Sequence, residues 1–309
     1  MSFLAPATLA QSYPSKPIRL VVATTAGGGS DFVGRLMGAK LSEALGQQVI
    51  VENRAGAGST LGYEFVIRSA PDGYTLAVIT PSYAINPSLY PLKFDAASDY
   101  TPIVPIARGP YVVVVHPSLP VKSIRELIAL AKARPGQLNF GSAGIGSPNG
   151  LALELFKTMA KVKMVHIPYK GGSGQMVTEL LSGQVQLASI GLPPAMPYVK
   201  SGRLRVIAVT GMNRSALLPE TPTVNESGLP GFDVTSWYGI FGPAALPKDI
   251  VAKVNADIAA ILGAADLKER LATLGAEPGS MTVDAFARYV RDEIAKWTKV
   301  VKESGATPD

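Results

Sequence analysis

Apolar positions in this chain fall into short β-branched runs, each followed by a glycine-rich or polar loop and then by apolar residues at helical spacing. The first run covers residues 18–23, and the helical spacing after its loop covers residues 33–45. Further strand-like runs lie at residues 49–52, 74–80, 138–140, 165–168, 185–190 and 204–210. Strands that alternate with helices in this order predict a parallel α/β architecture.

Two irregular segments interrupt this order. Residues 103–116 hold two apolar runs around Gly109-Pro110, and residues 219–247 are rich in Pro and Gly around a short apolar run. A complete set of strands and helices lies between them, so we interpret both segments as crossings between two lobes. We predict a discontinuous first lobe of residues 13–108 and 237–309 and an inserted second lobe of residues 109–236, with a ligand cleft between them. A single continuous doubly wound domain is the alternative.

The two tryptophans fall in different parts of this plan. Trp237 lies in the second crossing, whereas Trp297 belongs to a C-terminal helix with apolar residues at helical spacing. We expect that helix to bury one face against a single lobe. Closure of the lobes about a ligand should then change the surroundings of Trp237 and leave those of Trp297 unchanged.

Composition narrows the possible functions. The 309 residues are 47% hydrophobic and 17% charged, which is typical of a folded globular chain. The 29 Lys and Arg exceed the 23 Asp and Glu by 6, and the positive charge favours anionic small molecules. The basic residues are dispersed with no run of three, so we predict no nucleic-acid partner. No apolar run approaches the length of a membrane span.

Cysteine and histidine are too scarce for common metal or thiol chemistry. The chain has no Cys, and its two His, His116 and His166, are far apart in sequence. We therefore predict neither a metal site nor a cofactor. Residues 1–12 are apolar and small without a preceding basic residue, and we interpret them as a remnant of a secretory signal or as a disordered tail.

Three glycine-rich loops each follow a strand and open a helix, at residues 26–31, 141–149 and 169–174. Helix N-termini present unpaired N–H groups, which makes an anion the natural ligand. The predicted ligand-binding residues are Thr24, Thr25, Ala26, Gly27, Gly28, Ser30, Asp31, Thr80, Ser82, Tyr83, Ser142, Ala143, Gly144, Ser147, Asn149 and Tyr169. Helix capping by Ser30 and Ser147 is the structural alternative, and we interpret Lys170 as a surface residue.

Motifs of the common enzyme classes are missing. The chain has no Gly-Lys dipeptide for a Walker A loop, no GxGxxG and no GxSxG. A serine hydrolase would depend on His116 or His166 as its base. We therefore predict a binding protein without catalytic residues, and keep an α/β hydrolase-like enzyme acting on a carboxylated substrate as the alternative.

Several motifs, in order along the chain, resemble the Bug/TctC family of solute receptors for tripartite tricarboxylate transporters. They are YPSKPIR at 13–19, AGGGSD at 26–31, VENRAGAGS at 51–59, PDGYTL at 71–76, NFGSAGIGS at 139–147, IPYKGG at 167–172 and SWYGIFGPAALP at 236–247. The resemblance implies a periplasmic binding protein-like, type II-like α/β fold, with two doubly wound lobes joined by two crossover segments.

The resemblance also implies a function. It points to a periplasmic, monomeric receptor that captures a dicarboxylate, tricarboxylate, acidic amino acid or aromatic acid and delivers it to membrane permease subunits. A periplasmic sensor read by a signalling partner is a further alternative. The family usually has Pro-Phe at the positions of Ala23 and Thr24, His at Asn149 and Asp at Gln186, so no particular solute is implied.

Overall fold

The computed structural model describes residues 13–26, 29–169, 172–273 and 275–307. The strands are β1 (Ile18–Val22), β2 (Val49–Asn53), β3 (Thr75–Ile79), β4 (Tyr100–Val115), β5 (Asn139–Ser142), β6 (Val165–Pro168), β7 (Leu187–Gly191), β8 (Arg205–Val209), β9 (Thr235–Pro243) and β10 (Glu277–Pro278). The helices are α1 (Gly29–Leu45), α2 (Thr60–Ile67), α3 (Pro81–Ile85), α4 (Ile124–Ala133), α5 (Pro148–Ala160), α6 (Gly172–Leu181), α7 (Leu192–Lys200), α8 (Lys248–Gly263), α9 (Ala265–Thr273) and α10 (Val283–Ser304). Residues 1–12, predicted to be a signal remnant or tail, lie outside this description.

The strands form one mixed sheet in the order β2-β1-β3-β9-β4-β7-β5-β6, and β8 and β10 also pair with β4. In one block β1 runs parallel to β2 and β3, and in the other β5 runs parallel to β6 and β7. Between the blocks, β9 is antiparallel to both β3 and β4. The predicted α/β architecture is thus confirmed, and the carboxyl ends of the strands in each parallel block are the usual place for a ligand.

The long strand β4 joins the two blocks. Residues 100–110 pair with β9, whereas residues 111–115 pair with β7. The segment predicted as the first crossing is therefore one continuous strand that changes partner at residue 110. The predicted lobe boundary at residue 109 lies next to this change of partner, and the boundary at residue 236 lies in β9. We retain the division into two lobes as a proposal.

The prediction that the C-terminal helix packs against a single lobe is wrong. Helix α10 contacts α3 of the proposed first lobe and α5 of the second. The indole Nε1 atoms of Trp237 and Trp297 both donate to Glu293 Oε2, at 3.1 and 3.0 Å. Both tryptophans therefore lie in the same buried cluster. Helix α10 is 22 residues long, and its apolar face reaches across both blocks of the sheet.

Among the helices of the described ranges, none combines the length and the apolar composition that a membrane crossing requires.

Candidate functional site

A cleft of about 500 Å³ opens where the parallel strands of both blocks end. Its walls come from the first turns of four helices of nine residues or more: Gly29 and Ser30 of α1, Pro148 and Asn149 of α5, Ser173 and Gly174 of α6, and Pro194 of α7. Each of these helices follows the carboxyl end of a strand, so its free N–H groups point to the same space. Converging helix first turns suit an anion, and anion binding by the three loops stays a prediction.

A second part of the cleft, of about 460 Å³, adjoins the first and is more apolar. The two parts share Gly29, Tyr111, Ser173, Gly191, Pro194, Ser236 and Tyr238. Beyond these residues, the second part is lined by Phe32, Val33, Ala107, Gly109, Pro110, Leu192, Leu271 and Ala276. We call the two parts the polar part and the apolar part.

At the β1–α1 junction, Thr24, Thr25 and Ser30 line the polar part. Thr24 Oγ1 is buried and has no hydrogen-bond partner within the described residues. A buried hydroxyl without a partner is costly, so a ligand atom that bonds Thr24 would restore the missing interaction.

Asp31, also predicted as a ligand residue, does not line the cleft. Its Oδ1 accepts from Asn53 Nδ2 at 3.0 Å, and its Oδ2 accepts from Arg35 Nε at 3.0 Å. The carboxylate is buried in the first turn of α1, where the helix dipole favours a negative charge. The structure therefore places Asp31 behind the cleft wall, where it holds the start of α1 against β2.

At the β5–α5 junction, Ala143, Ser147 and Asn149 line the polar part. Ser147 Oγ donates to the Gly144 carbonyl at 2.6 Å, and Asn149 Nδ2 donates to the Ser189 carbonyl at 3.2 Å. The loop needs glycine at Gly144 and Gly146, whose φ angles are +119° and +75°. These hydrogen bonds and the two glycine conformations thus hold the loop at residues 143–149 in place.

Ser142 lies under this loop rather than in the cleft, with no solvent-accessible surface. Its Oγ lies 2.6 Å from His166 Nε2 and accepts from the Gly144 N–H at 3.2 Å. His166 Nδ1 lies 3.5 Å from Glu154 Oε1, and Glu154 pairs with Lys157 at 2.7 Å. Burial, together with the nearby Lys157 ammonium, lowers the pKa of His166 to about 4. At neutral pH the imidazole is uncharged, so its Nε2 can accept a hydrogen bond from the Ser142 hydroxyl, which also lies within donating distance of the Gly144 carbonyl at 3.0 Å.

The β3–α3 turn contributes Thr80 and Ser82 to the polar part. Tyr83, which was also predicted there, is directed into the core against Tyr63, Tyr100 and Phe241. Burial raises the pKa of its phenol, and its hydroxyl has no partner in the described residues. Its side chain is therefore part of the packing beneath the cleft.

Three other predicted residues, Ala26, Gly144 and Tyr169, lie near the cleft but are not among the residues that line it. Burial raises the pKa of the Tyr169 phenol. Gly27 and Gly28 of the first loop, and Lys170 and Gly171 of the third, lie outside the described residues.

Sequence reasoning missed the floor of the cleft, formed by Tyr111 of β4 and Ser236 and Tyr238 of β9. Burial raises the pKa of both tyrosines, and each is hydrogen-bonded to Ser236, so both phenols stay protonated at neutral pH. The alternation of side chains along β4 and β9 could have indicated these residues, because every second residue of a strand faces the same side.

The cleft suits an anion, yet no positively charged side chain is among the described residues that line it. Among the described residues that line its two parts, none has a carboxylate, an ammonium or a guanidinium group. Within the same described ranges no group of three or more His, Asp or Glu could hold a metal ion. Backbone N–H groups of helix first turns and neutral hydroxyls are thus the groups that the described wall offers to a ligand.

Comparisons with known proteins identify the family of the chain. Residues 33–306 match the family model described as the tripartite tricarboxylate transporter family receptor, TctC. BugT of Bordetella pertussis is 36% identical over 300 residues, which cover 96% of this chain and 92% of BugT.

Solved structures show the same relationship. The structure of R. palustris Rpa4515 with adipate has 38% identity and a TM-score of 0.85, covering 96% of this chain and 100% of that chain. MatC from Rhodopseudomonas palustris with bound malate has 32% identity and a TM-score of 0.81, covering 94% of this chain and 100% of MatC. The chain therefore belongs to the TctC family of tripartite tricarboxylate transporter receptors and is a solute-binding protein rather than an enzyme.

Proposed function

We propose that this receptor captures a small organic carboxylate in the cleft, works in the periplasm and delivers its ligand to the permease subunits of a tripartite tricarboxylate transporter. The observation that carries the proposal is the convergence of the first turns of α1, α5 and α6 on one cleft lined by uncharged groups. Adipate and malate in the related structures are both carboxylates.

Recognition would rest on hydrogen bonds to the anion. Backbone N–H groups of the helix first turns donate to the carboxylate oxygens, and the helix dipoles favour the negative charge. Thr24 Oγ1 supplies a further buried donor without a partner among the described residues. Hydrogen bonds to charged groups contribute about 1.5–3 kcal/mol each, so a few of them suffice for tight binding without a cation.

We further propose that the ligand-binding residues are those of the predicted set that line the polar part: Thr24, Thr25, Ser30, Thr80, Ser82, Ala143, Ser147 and Asn149. They come from both blocks of the sheet. Full enclosure of a ligand would therefore need the two blocks to approach each other about β4 and β9.

A thermal-shift screen of the protein over organic carboxylates tests the proposal. A ligand at 100 times its dissociation constant adds about 2.7 kcal/mol to the free energy of unfolding, which is readily detected. Calorimetry then compares the best acid with its methyl ester. We expect the ester to bind at least about tenfold more weakly. Equal affinity of acid and ester, or no stabilisation by any carboxylate, would refute the proposal.

A further inference from the structure

We infer that the ligand carries its charge at one end only and has an apolar body, as in a straight-chain or aromatic monocarboxylate. This inference rests on the proposed function and names the class of carboxylate. The carboxylate would occupy the polar part and the body would extend into the apolar part.

The apolar part supplies hydrocarbon surface from several helices. Phe32 and Val33 come from α1, Leu192 from α7 and Leu271 from α9. Phe32 is 46% exposed, although most large apolar side chains of the described chain are covered. An exposed ring on the wall of a cavity next to an anion site is available to pack against an apolar ligand.

A second carboxylate in the apolar part would have no charged partner among the described residues that line it. The first turns of α1 and α6 reach the apolar part only through Gly29 and Ser173, at its boundary with the polar part, where the first carboxylate would use them. The hydroxyls on its floor, from Tyr111, Ser236 and Tyr238, are neutral, and Ser236 is already bonded to both tyrosines. Moving a carboxylate out of water without a cation or several donors is strongly unfavourable. A methyl group or ring at the same place instead gains from leaving water.

Two arginines near the apolar part in sequence are engaged elsewhere. Arg35, on the helix of Phe32, bonds Asp31 and Asn53. Arg108 lies between Ala107 and Gly109 on β4 and pairs with Glu277 at 3.2 Å. Arg108 lines a neighbouring cavity that shares Gly109, Pro110 and Ala276 with the apolar part, and its charge there is already paired with Glu277.

Calorimetry with matched acids tests the inference. Hexanoate and adipate have the same six-carbon chain and differ in whether one end is a methyl or a carboxylate, and 4-methylbenzoate and terephthalate form the equivalent aromatic pair. We expect the monocarboxylate of at least one pair to bind at least tenfold more tightly than its dicarboxylate. If neither monocarboxylate binds at least tenfold more tightly than its dicarboxylate, or if none of the four binds, the inference is overturned. The proposed function would fall with it only if the wider carboxylate screen were also negative.

Substitution of Phe32 locates the apolar end. Phe32→Arg adds a cation to the wall of the apolar part, and Phe32→Gln is the uncharged control at the same exposed position. Both variants lose the ring and only Phe32→Arg gains a charge, so we expect the affinity for adipate relative to hexanoate to be at least tenfold higher in Phe32→Arg than in Phe32→Gln. Equal ratios in the two variants would show that the ligand does not extend towards Phe32 and would overturn the inference.

Discussion

The two junctions that present helices to the polar part are supported by different chemistry. At the β1–α1 junction, Asp31 is held by Asn53 and by Arg35, whose side chain is 56% exposed. At the β5–α5 junction, Ser142 is wholly buried between His166 and the Gly144 N–H. The same presentation of a helix N-terminus can thus be stabilised by a buried carboxylate paired with a half-exposed arginine, or by a buried hydroxyl bonded to an uncharged imidazole.

The difference has consequences for how each side responds to change. A half-exposed ion pair is screened by salt and contributes little to stability. A buried hydroxyl network is insensitive to salt, but every group in it loses a partner when one is removed. The β5–α5 side should therefore be the more sensitive to substitution and the β1–α1 side the more tolerant.

The largest effect should come from a negative charge on either helix start. Ser30→Asp and Ser147→Asp each place a carboxylate beside the proposed anion, and we expect each to lower carboxylate affinity about 30-fold, or about 2 kcal/mol. Calorimetry measures the affinity. Asp is favourable in the first turn of a helix, so Ser30→Asp should keep its melting temperature, whereas Ser147→Asp loses the bond to the Gly144 carbonyl and should melt lower.

The matched controls are Ser30→Asn and Ser147→Asn, which have similar size and no charge. We expect them to bind within about fivefold of the unchanged protein. If only one of the two Asp variants loses affinity, the ligand is held by one junction and not by both.

A smaller effect, on the free energy of unfolding, should distinguish the β5–α5 junction from the β1–α1 junction. Ser142→Ala leaves the His166 ring nitrogen and the Gly144 N–H without their partner, and we expect the free energy of unfolding to fall by about 1–3 kcal/mol. Arg35→Met removes the half-exposed partner of the buried Asp31, but the carboxylate keeps its bond from Asn53 and its place at the helix N-terminus, so the cost should be less than about 1 kcal/mol. Urea unfolding measures both. Equal losses would remove the distinction between the two junctions.

The smallest effect concerns pH. The pKa of His166 is about 4 in the folded protein, below the usual 6.5, because burial and Lys157 disfavour its charged form. Below about pH 6.5 His166 is protonated in the unfolded state and still uncharged in the folded state. The free energy of unfolding therefore decreases as the pH falls from about 6.5 towards 4. His166→Gln does not titrate there, and its unfolding free energy should decline less steeply over that range. A parallel decline in both proteins would show that His166 is not the group responsible.

Local sequence patterns were sufficient for most of the fold. Apolar runs marked β1, β3 and β7 to within about two residues, because buried parallel strands are nearly continuous apolar runs. Helix α7 was missed since Pro193, Pro194 and Pro197 conceal its periodicity. The contact of α10 with both blocks was missed because the apolar face of a helix does not reveal which elements pack against it.

The site was predictable at the level of loops and less so at the level of side chains. Helix starts at the ends of parallel strands indicated where Ser30, Ser82 and Ser147 would lie. The same loops contain Asp31 and Ser142, which face away from the cleft, and a loop sequence does not specify the direction of a side chain. Residues such as Tyr238 come from the crossing strands, whose pairing depends on contacts distant in sequence.

The most direct test of carboxylate binding by uncharged groups is a crystal structure of the protein with the tightest acid found in the screen. We predict the carboxylate oxygens within hydrogen-bond distance, about 2.7–3.2 Å, of backbone N–H groups in the first turns of α1 and α5. A carboxylate paired instead with a Lys or Arg side chain, or bound outside the cleft, would contradict it.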